Sequence, residues 1–192
     1  MALEQPSYTV VLKQGDIEYR QYEAYLVAET RIVSMDDYNN AANTGFRRLF
    51  NYISGDNTSR TKIAMTAPVK QAIAGEKIEM TAPVQQSQSA SGWKISFMLP
   101  SEYDLATAPI PNDPRIRVTE VPRQLMAVKR FAGRWTGKNF EKHSNRLIAD
   151  LPPTTLTKAF TVSSAVYDPP FMPPFLRRNE VMVPVTSLPA TQ

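Results

Sequence analysis

The sequence predicts an α+β fold made of a duplicated unit, in which two strands, a long helix and further strands occur twice and the sheets close or nearly close around one core. Three observations carry this. Segments of strand-like alternation outnumber helical ones. Two stretches have a single apolar stripe at three- and four-residue steps. Shifting the chain on itself by 99 residues lays IEYRQYEAYLVAETRI (17 to 32) on IRVTEVPRQLMAVKRF (116 to 131) and matches Ile17 to Ile116, Leu26 to Leu125, Ala28 to Ala127 and Arg31 to Arg130. The same shift brings Asn40 and Arg47 onto Asn139 and Arg146, so the repeat extends into both helices.

The strands expected in order are Tyr8 to Leu12, Ile17 to Tyr22, Tyr25 to Thr30, Trp93 to Leu99, Ile116 to Val121, Leu125 to Phe131, Phe160 to Tyr167 and Val181 to Val185. Each places apolar side chains on alternate positions, as a half-buried strand requires. The first helix is expected over Asp36 to Ser54, where Tyr38, Ala42, Gly45, Phe46, Leu49 and Ile53 form one stripe, Ser34 is the candidate cap and Gly55 the stop. The second runs over Gly137 to Leu151, with Phe140, Ser144, Leu147, Ile148 and Leu151 on one face, Thr136 as cap and Pro152-Pro153 behind. Trp135 and Phe140 stand where a hydrophobic staple sits.

The 192 residues suffice for one domain with a sizeable core, so 1–192 is expected to be a single unit. No apolar run approaches the ~18 residues of a membrane helix, and the first residues lack a secretory pattern. A cytoplasmic protein without integral membrane association is therefore expected. With 22 basic and 18 acidic residues the net charge is +4 and the pI about 9.3. That charge favours solubility, and without interleaved aromatic and basic residues it does not predict nucleic-acid binding. A monomer is expected.

The scarce residues exclude most chemistry. Without cysteine there is no disulfide, zinc ribbon, iron-sulfur cluster, thioether-linked haem or thiol nucleophile, and the single histidine, His143, excludes an HExxH helix and bis-histidine ligation within the chain. The seven glycines form no phosphate-binding loop. No GxSxG elbow presents a serine, and Asp36-Asp37 stands at a helix start, where capping accounts for it. An enzyme is not the expectation, although chemistry on a bound cofactor stays open.

One repeat is sharper than the duplication. Lys62-Ile63-Ala64-Met65-Thr66-Ala67-Pro68-Val69 recurs fifteen residues on as Lys77-Ile78-Glu79-Met80-Thr81-Ala82-Pro83-Val84, with seven of eight positions identical. Alternation predicts a hairpin presenting Met65 and Met80 on one inward face, its prolines confining each block to an edge or bulge. Near the C-terminus Tyr167-Asp168-Pro169-Pro170-Phe171-Met172-Pro173-Pro174-Phe175-Leu176-Arg177-Arg178-Asn179-Glu180-Val181 reads as a stiff loop, with Arg177, Arg178 and Glu180 in an ion-pair network.

These blocks, the helix end GFRRLFNYISG, the SFMLPSEY strand and the proline-rich tail resemble the SOUL haem-binding protein family over nearly the whole chain, with the chain read as a bacterial-type member. The resemblance implies a duplicated βαββ fold forming a distorted antiparallel β-barrel flanked by two long helices, shared more distantly with effector-binding domains. It also implies non-covalent binding of haem or free porphyrin in an apolar surface groove, as a carrier or buffer. A small-molecule effector sensor, or an enzyme acting on another flat apolar ligand or on the tetrapyrrole, is the alternative. Matched residue by residue, the tetrapyrrole site falls on Asn43, Phe46, Leu49 and Phe50, with Met172 from the tail. The family's basic residue falls at Asn43, so Arg47, one turn on, stands in for it.

For iron, His143 is the one imidazole that can act as an axial ligand; the same residue also reads as a partly exposed helix position beside the apolar stripe. Met65 and Met80 read as packing or as soft contacts to a porphyrin face. Arg134, Lys138, Lys142 and Arg146 form a basic ridge, read as a solvated face or as a partner for propionates.

Overall fold

The computed structural model describes residues 3–33, 37–60, 75–89, 92–156, 160–169 and 171–189. In chain order it contains β1 Tyr8–Gln14, β2 Ile17–Tyr22, β3 Tyr25–Ile32, α1 Tyr38–Ile53, β4 Asn57–Thr58, β5 Val84–Ser89, β6 Gly92–Met98, β7 Ile110–Pro111, β8 Ile116–Val121, β9 Gln124–Phe131, α2 Gly137–Asp150, β10 Ser163–Val166 and β11 Asn179–Pro184. Nine strands form one antiparallel sheet in the order β1-β2-β9-β11-β10-β5-β6-β3-β8, and β4 pairs with β7. No helix among the described residues is long and apolar enough to cross a membrane.

The predicted duplication is present down to the register. Tyr22 opposes Gln124 on the β2–β9 ladder and Tyr25 opposes Val121 on the β3–β8 ladder, so the two ladders are one continuous ribbon in which residues 17–32 run antiparallel to residues 116–131. Pro122, which has no amide hydrogen to donate, falls in the bend between β8 and β9. Across the same bend Arg123 Nε lies 3.5 Å from Glu23 Oε1. Because β2 and β3 belong to opposite ends of the strand order yet are joined by two residues, the sheet cannot be flat. The six strand spacings between them would span roughly 29 Å, whereas the link reaches about 11 Å. The sheet therefore curls into a barrel-like shape. A pseudo-two-fold relation passes between β5 and β10, which pair with each other.

The helices follow from local chemistry. Asp37 caps α1, its carboxylate accepting the Asn39 amide at 3.0 Å. Ser34, the cap expected from sequence, lies outside the described residues; an Asp one residue before the helix supplies the stronger N-terminal acceptor. Gly55 ends the turn at φ +114°. Thr136 caps α2, its hydroxyl accepting the Asn139 amide at 3.3 Å.

Three apolar clusters fill the fold. Leu49, Tyr52 and Ile53 of α1 pack with Leu26, Ala28, Ile95, Phe97 and Leu99. Leu147 of α2 and the adjoining Leu151 pack with Ile17, Tyr19, Ala127, Val181 and Val183. The opposite face of β9 and β11 offers Met126, Val128 and Met182 to Tyr22 and Ala165. Each fully buried aliphatic side chain contributes about 2 kcal/mol.

The MTAPV hairpin is corrected in its described half. Lys77–Pro83 lies outside the strands, because its amides go to other elements: Ile78 N–H donates to Ile53 O at 2.8 Å and Ala82 N–H to Glu4 O at 2.9 Å. Ile78 and Ala82 are buried, but Met80 is 38% exposed and does not face inward. Met65 and its block lie outside the described residues.

A charged cluster sits inside the apolar frame. Glu180 has no exposed surface and receives Arg20 Nη1 at 2.9 Å and Nη2 at 3.1 Å, Arg178 Nε at 3.0 Å and the Tyr167 hydroxyl at 2.8 Å. Arg20 also donates to Tyr22 Oη at 3.1 Å, and its guanidinium lies over the Tyr8 ring. Burial by itself raises the Glu180 pKa, but the two guanidiniums outweigh it and hold the carboxyl below its ordinary 4.5. The expected network thus exists with one exchange, since Arg177 donates to the Met172 carbonyl at 2.8 Å while Arg20, from β2, grips Glu180.

Arg20→Met removes one of two cations from a buried carboxylate and is expected to lower stability by about 3 kcal/mol in urea denaturation. Because the Glu180 pKa is depressed in the fold, its charged form stabilises the protein above the ordinary carboxylate value of 4.5, and that contribution disappears as pH falls through the lower folded value. Acid titration of Glu180→Gln should lack this component.

Gly45→Ala gains about 1 kcal/mol of helix propensity. The new Cβ, however, lies 2.7 Å from Ile95 Cγ1 and 2.8 Å from Ile95 Cβ. The variant should lose about 1–3 kcal/mol net, and a double-mutant cycle with Ile95→Ala should recover most of it.

Candidate functional site

Two surfaces gather the chemistry, one on each helix. On α1 the i, i+4 spacing of Phe46 and Phe50 places them on successive turns, where their rings stack with centroids 5.9 Å apart at 11°. Phe46 is half-buried and meets Phe97 edge-on at 5.2 Å, while Phe50 is 42% exposed. The pair is thus an aromatic plate anchored in the core at one end and bare at the other.

Arg47 stands beside Phe50 and lines a cleft of about 220 Å³ with Arg48, Arg115, Asp56 and Asp113. Arg115 holds Asp113 through Nε at 2.8 Å and Nη2 at 2.7 Å, and Arg48 Nε approaches it at 3.7 Å. The Arg115 hydrogen bonds bring the Asp113 carboxyl down to about 2. Arg48 is further tied to Thr30 Oγ1 at 2.6 Å. Arg47 is exposed and has no carboxylate partner among the described residues. It is the cation left for an incoming anion.

The remaining expected residues are placed less uniformly. Asn43 is exposed one turn before Arg47, whereas Leu49 is fully buried and supports the helix from beneath. Met172 is half-buried in the connection between β10 and β11, whose Pro174 carbonyl accepts the Gly133 amide at 2.9 Å. Phe171 at 86% and Phe175 at 76% exposure lie bare on the surface. Both belong to a proline-stiffened segment, and neither lines the cleft beside Arg47.

His143 lies on α2, half-buried, its ring stacked on Phe131 with centroids 4.0 Å apart at 13°. Partial burial, followed by repulsion from Lys142, Lys129 and Arg146, holds it below its ordinary 6.5. The helix therefore presents a neutral imidazole at pH 7, the form that binds iron, but on a different element from Phe46 and Arg47. Among the described residues no group of three or more His, Asp or Glu side chains is arranged to hold a metal ion.

The second surface was not singled out from sequence. Between α2 and the sheet lies a cavity of about 680 Å³, walled by Tyr38, Trp93, Phe140, Ile148, Phe160 and Val162. Tyr38 organises it. The Tyr38 hydroxyl bonds Ser164 Oγ at 2.7 Å and accepts from Trp135 Nε1, its carbonyl accepts Gln86 Nε2 at 3.1 Å, and its ring stacks on Phe140 and meets Trp93 edge-on. Burial pushes the phenol up to about 12. Aromatic residues flanking a helix start were the only signal in the sequence, and they read there as a staple.

A family profile described as "SOUL heme-binding protein" matches residues 3–184. Heme-binding protein 1 of Xenopus laevis is 28% identical over 164 residues, 85% of this chain and 80% of that protein. Heme-binding protein 2 of Mus musculus is 30% identical over 146 residues, 73% of this chain and 66% of that protein. The crystal structure of a hydrolase from Listeria innocua shares the fold, with a TM-score of 0.52 and 9% identity, covering 92% of this chain and 94% of that one.

An NMR pH titration of the His143 ring should give a midpoint below 6.5, and Lys142→Gln with Arg146→Gln should raise it, since each removes a cation that disfavours the imidazolium. A midpoint at or above 6.5 in the parent would contradict the packing on Phe131.

Proposed function

The chain belongs to the SOUL heme-binding protein family, and from that premise we propose that it binds haem or a related tetrapyrrole on the outer face of α1, as a carrier or buffer. The observation that carries this reading is the stacked Phe46–Phe50 pair, 42% exposed at Phe50, beside Arg47, which has no carboxylate partner among the described residues. A porphyrin is flat, apolar on both faces and anionic at one edge. An aromatic plate supplies face contact, and a guanidinium without a carboxylate partner supplies the edge.

The relatives named for heme binding support the ligand class. Attachment is non-covalent in this reading, because the chain has no cysteine to form a thioether. Met172 enters this reading through the family resemblance, and Phe171 and Phe175 beside it are exposed apolar surface in a segment that bonds to Gly133. Leu49 and Phe97 keep the plate rigid, so little ordering accompanies binding. Bound haem would bring its own iron chemistry; this chain's residues hold the macrocycle by its face and its carboxylates. The protein acts here as a cytoplasmic monomer, with its basic surface serving solubility rather than nucleic acid.

Spectrophotometric titration tests the reading. Hemin should saturate at one equivalent, and metal-free protoporphyrin should bind within about tenfold, a difference of roughly 1.4 kcal/mol. Phe50→Ala should weaken hemin about fivefold from lost face contact, and Arg47→Ala a few-fold, an effect that shrinks as salt rises. Arg47→Ala should leave the melting temperature unchanged, as its side chain is exposed, and Phe50→Ala should lower it only slightly, since 42% of that residue is exposed. If both variants bind like the parent, the α1 face is not the site; a thousandfold preference for hemin over the free base would mean that iron ligation governs affinity.

A further inference from the structure

We propose that the cavity beneath α2 is a second ligand site, separate from the α1 face, for a flat aromatic molecule that is uncharged or cationic and carries a hydrogen-bond acceptor. At about 680 Å³ it lies within the size range of small-molecule pockets.

The two helices seat differently on the sheet, and the residue at the contact point is one of the differences between the copies. On α1, Gly45 brings the helix so close to β6 that a Cβ there would stand 2.7 Å from the Ile95 side chain, and seven residues of the helix are buried. The 99-residue shift that superposes the halves carries Gly45 onto Ser144. On α2 only Ser144 and Leu147 are buried. With a side chain at the contact point the second helix stands off, and the space beneath it opens.

The walls specify the ligand. Tyr38, Trp93, Phe140 and Phe160 offer aromatic surface on several sides. Tyr38 is locked by Ser164 and Trp135, so the ring cluster is organised before anything binds. Glu141 is the only charged residue among the described lining residues, which disfavours a carboxylate-bearing molecule and favours a cation. The basic residues of the same helix, Lys138, Lys142 and Arg146, are exposed and are not among those lining residues.

Ser144 supplies the polar anchor. The residue is 6% exposed, it lines the cavity, and its hydroxyl has no hydrogen-bond partner among the described residues. A buried hydroxyl without a partner is costly to the free protein. Rotation about χ1 turns it from one staggered position to another, where it can donate to a ligand carbonyl.

The test uses Nile red, which is planar, uncharged and bears a carbonyl, with acridine orange as a cationic probe and anilinonaphthalene sulfonate as an anionic one. Nile red fluorescence should saturate at one equivalent. Ser144→Ala should weaken it at least fivefold while leaving the melting temperature equal or higher, because an unpartnered hydroxyl has been removed. Asn145→Trp, a change at an exposed lining position that the fold tolerates, should weaken it at least tenfold by covering the mouth. Glu141→Lys should shift the preference from acridine orange toward the sulfonate at least fivefold. Unsaturable Nile red binding, parent-like binding by both Ser144→Ala and Asn145→Trp, or a lower melting temperature with unchanged binding in Ser144→Ala would each overturn the proposal. So would displacement of Nile red by one equivalent of hemin, which would make this cavity the tetrapyrrole's own.

Discussion

The ribbon formed by residues 17–32 and 116–131 is the constraint on which the remaining structure depends. Each copy of the repeat lends its first two strands to a ladder with the other copy, so each of these strands has one neighbour from the opposite half. The ladder stays in register through both bends, and its two halves lie toward opposite ends of the strand order. Curling of the sheet is therefore a consequence of chain connectivity. It needs no special side chain beyond a bend that tolerates Pro122. Once the sheet curls, α1 is carried onto β3 and β6 and α2 onto β9 and β11, and the β5–β10 pair becomes the seam between the halves.

Two polar clusters are held by this frame and in turn tie it together. Glu180 on β11 and Arg20 on β2 flank β9 and bond across it in a nearly water-free setting, where a bidentate pair is strongly directional. Their contribution is better understood as specificity of pairing than as net stability, because taking both charges out of water costs much of what their attraction returns. Tyr38 does for the seam what Arg20 does for the second half. From the start of α1 it reaches β10, the connection before α2 and the first turn of α2, and the rings around it form one wall of the larger cavity.

The difference between the helices carries the functional argument. A glycine at the contact point seats α1 firmly and turns its outer face into a rigid platform, on which Phe46, Phe50 and Arg47 are displayed. A serine at the corresponding point leaves α2 raised, and the chemistry there lies beneath the helix instead of on it. Few positions of the two helices remain identical, and the volume at the contact point, glycine in α1 and serine in α2, is one difference between them.

Much of this was legible in the chain. Alternation and the 99-residue shift located both helices and the crossing strands, because these depend on local period and on which residues are apolar; the family was legible only through its motif blocks. Phe46, Phe50 and Arg47 were singled out through the family resemblance, and helical spacing added only that they stand on adjoining turns. The strand β5 was not, because Val84–Ser89 reads VQQSQS and its pairing on both sides, not its composition, makes it a strand. The inward methionine hairpin failed where backbone amides of Ile78 and Ala82 found acceptors in Ile53 and Glu4, which no local pattern announces. Arg20 carried no signal of its own in the sequence, and β11 brings Glu180 within 2.9 Å of it. The sequence by itself determined period, caps and repeat, which are properties of neighbours along the chain. Only the tertiary structure decided which buried charges meet, which aromatic residues surround Tyr38 and which helix stands away from its sheet, because those outcomes rest on the fit between side-chain volumes from segments on the order of a hundred residues apart.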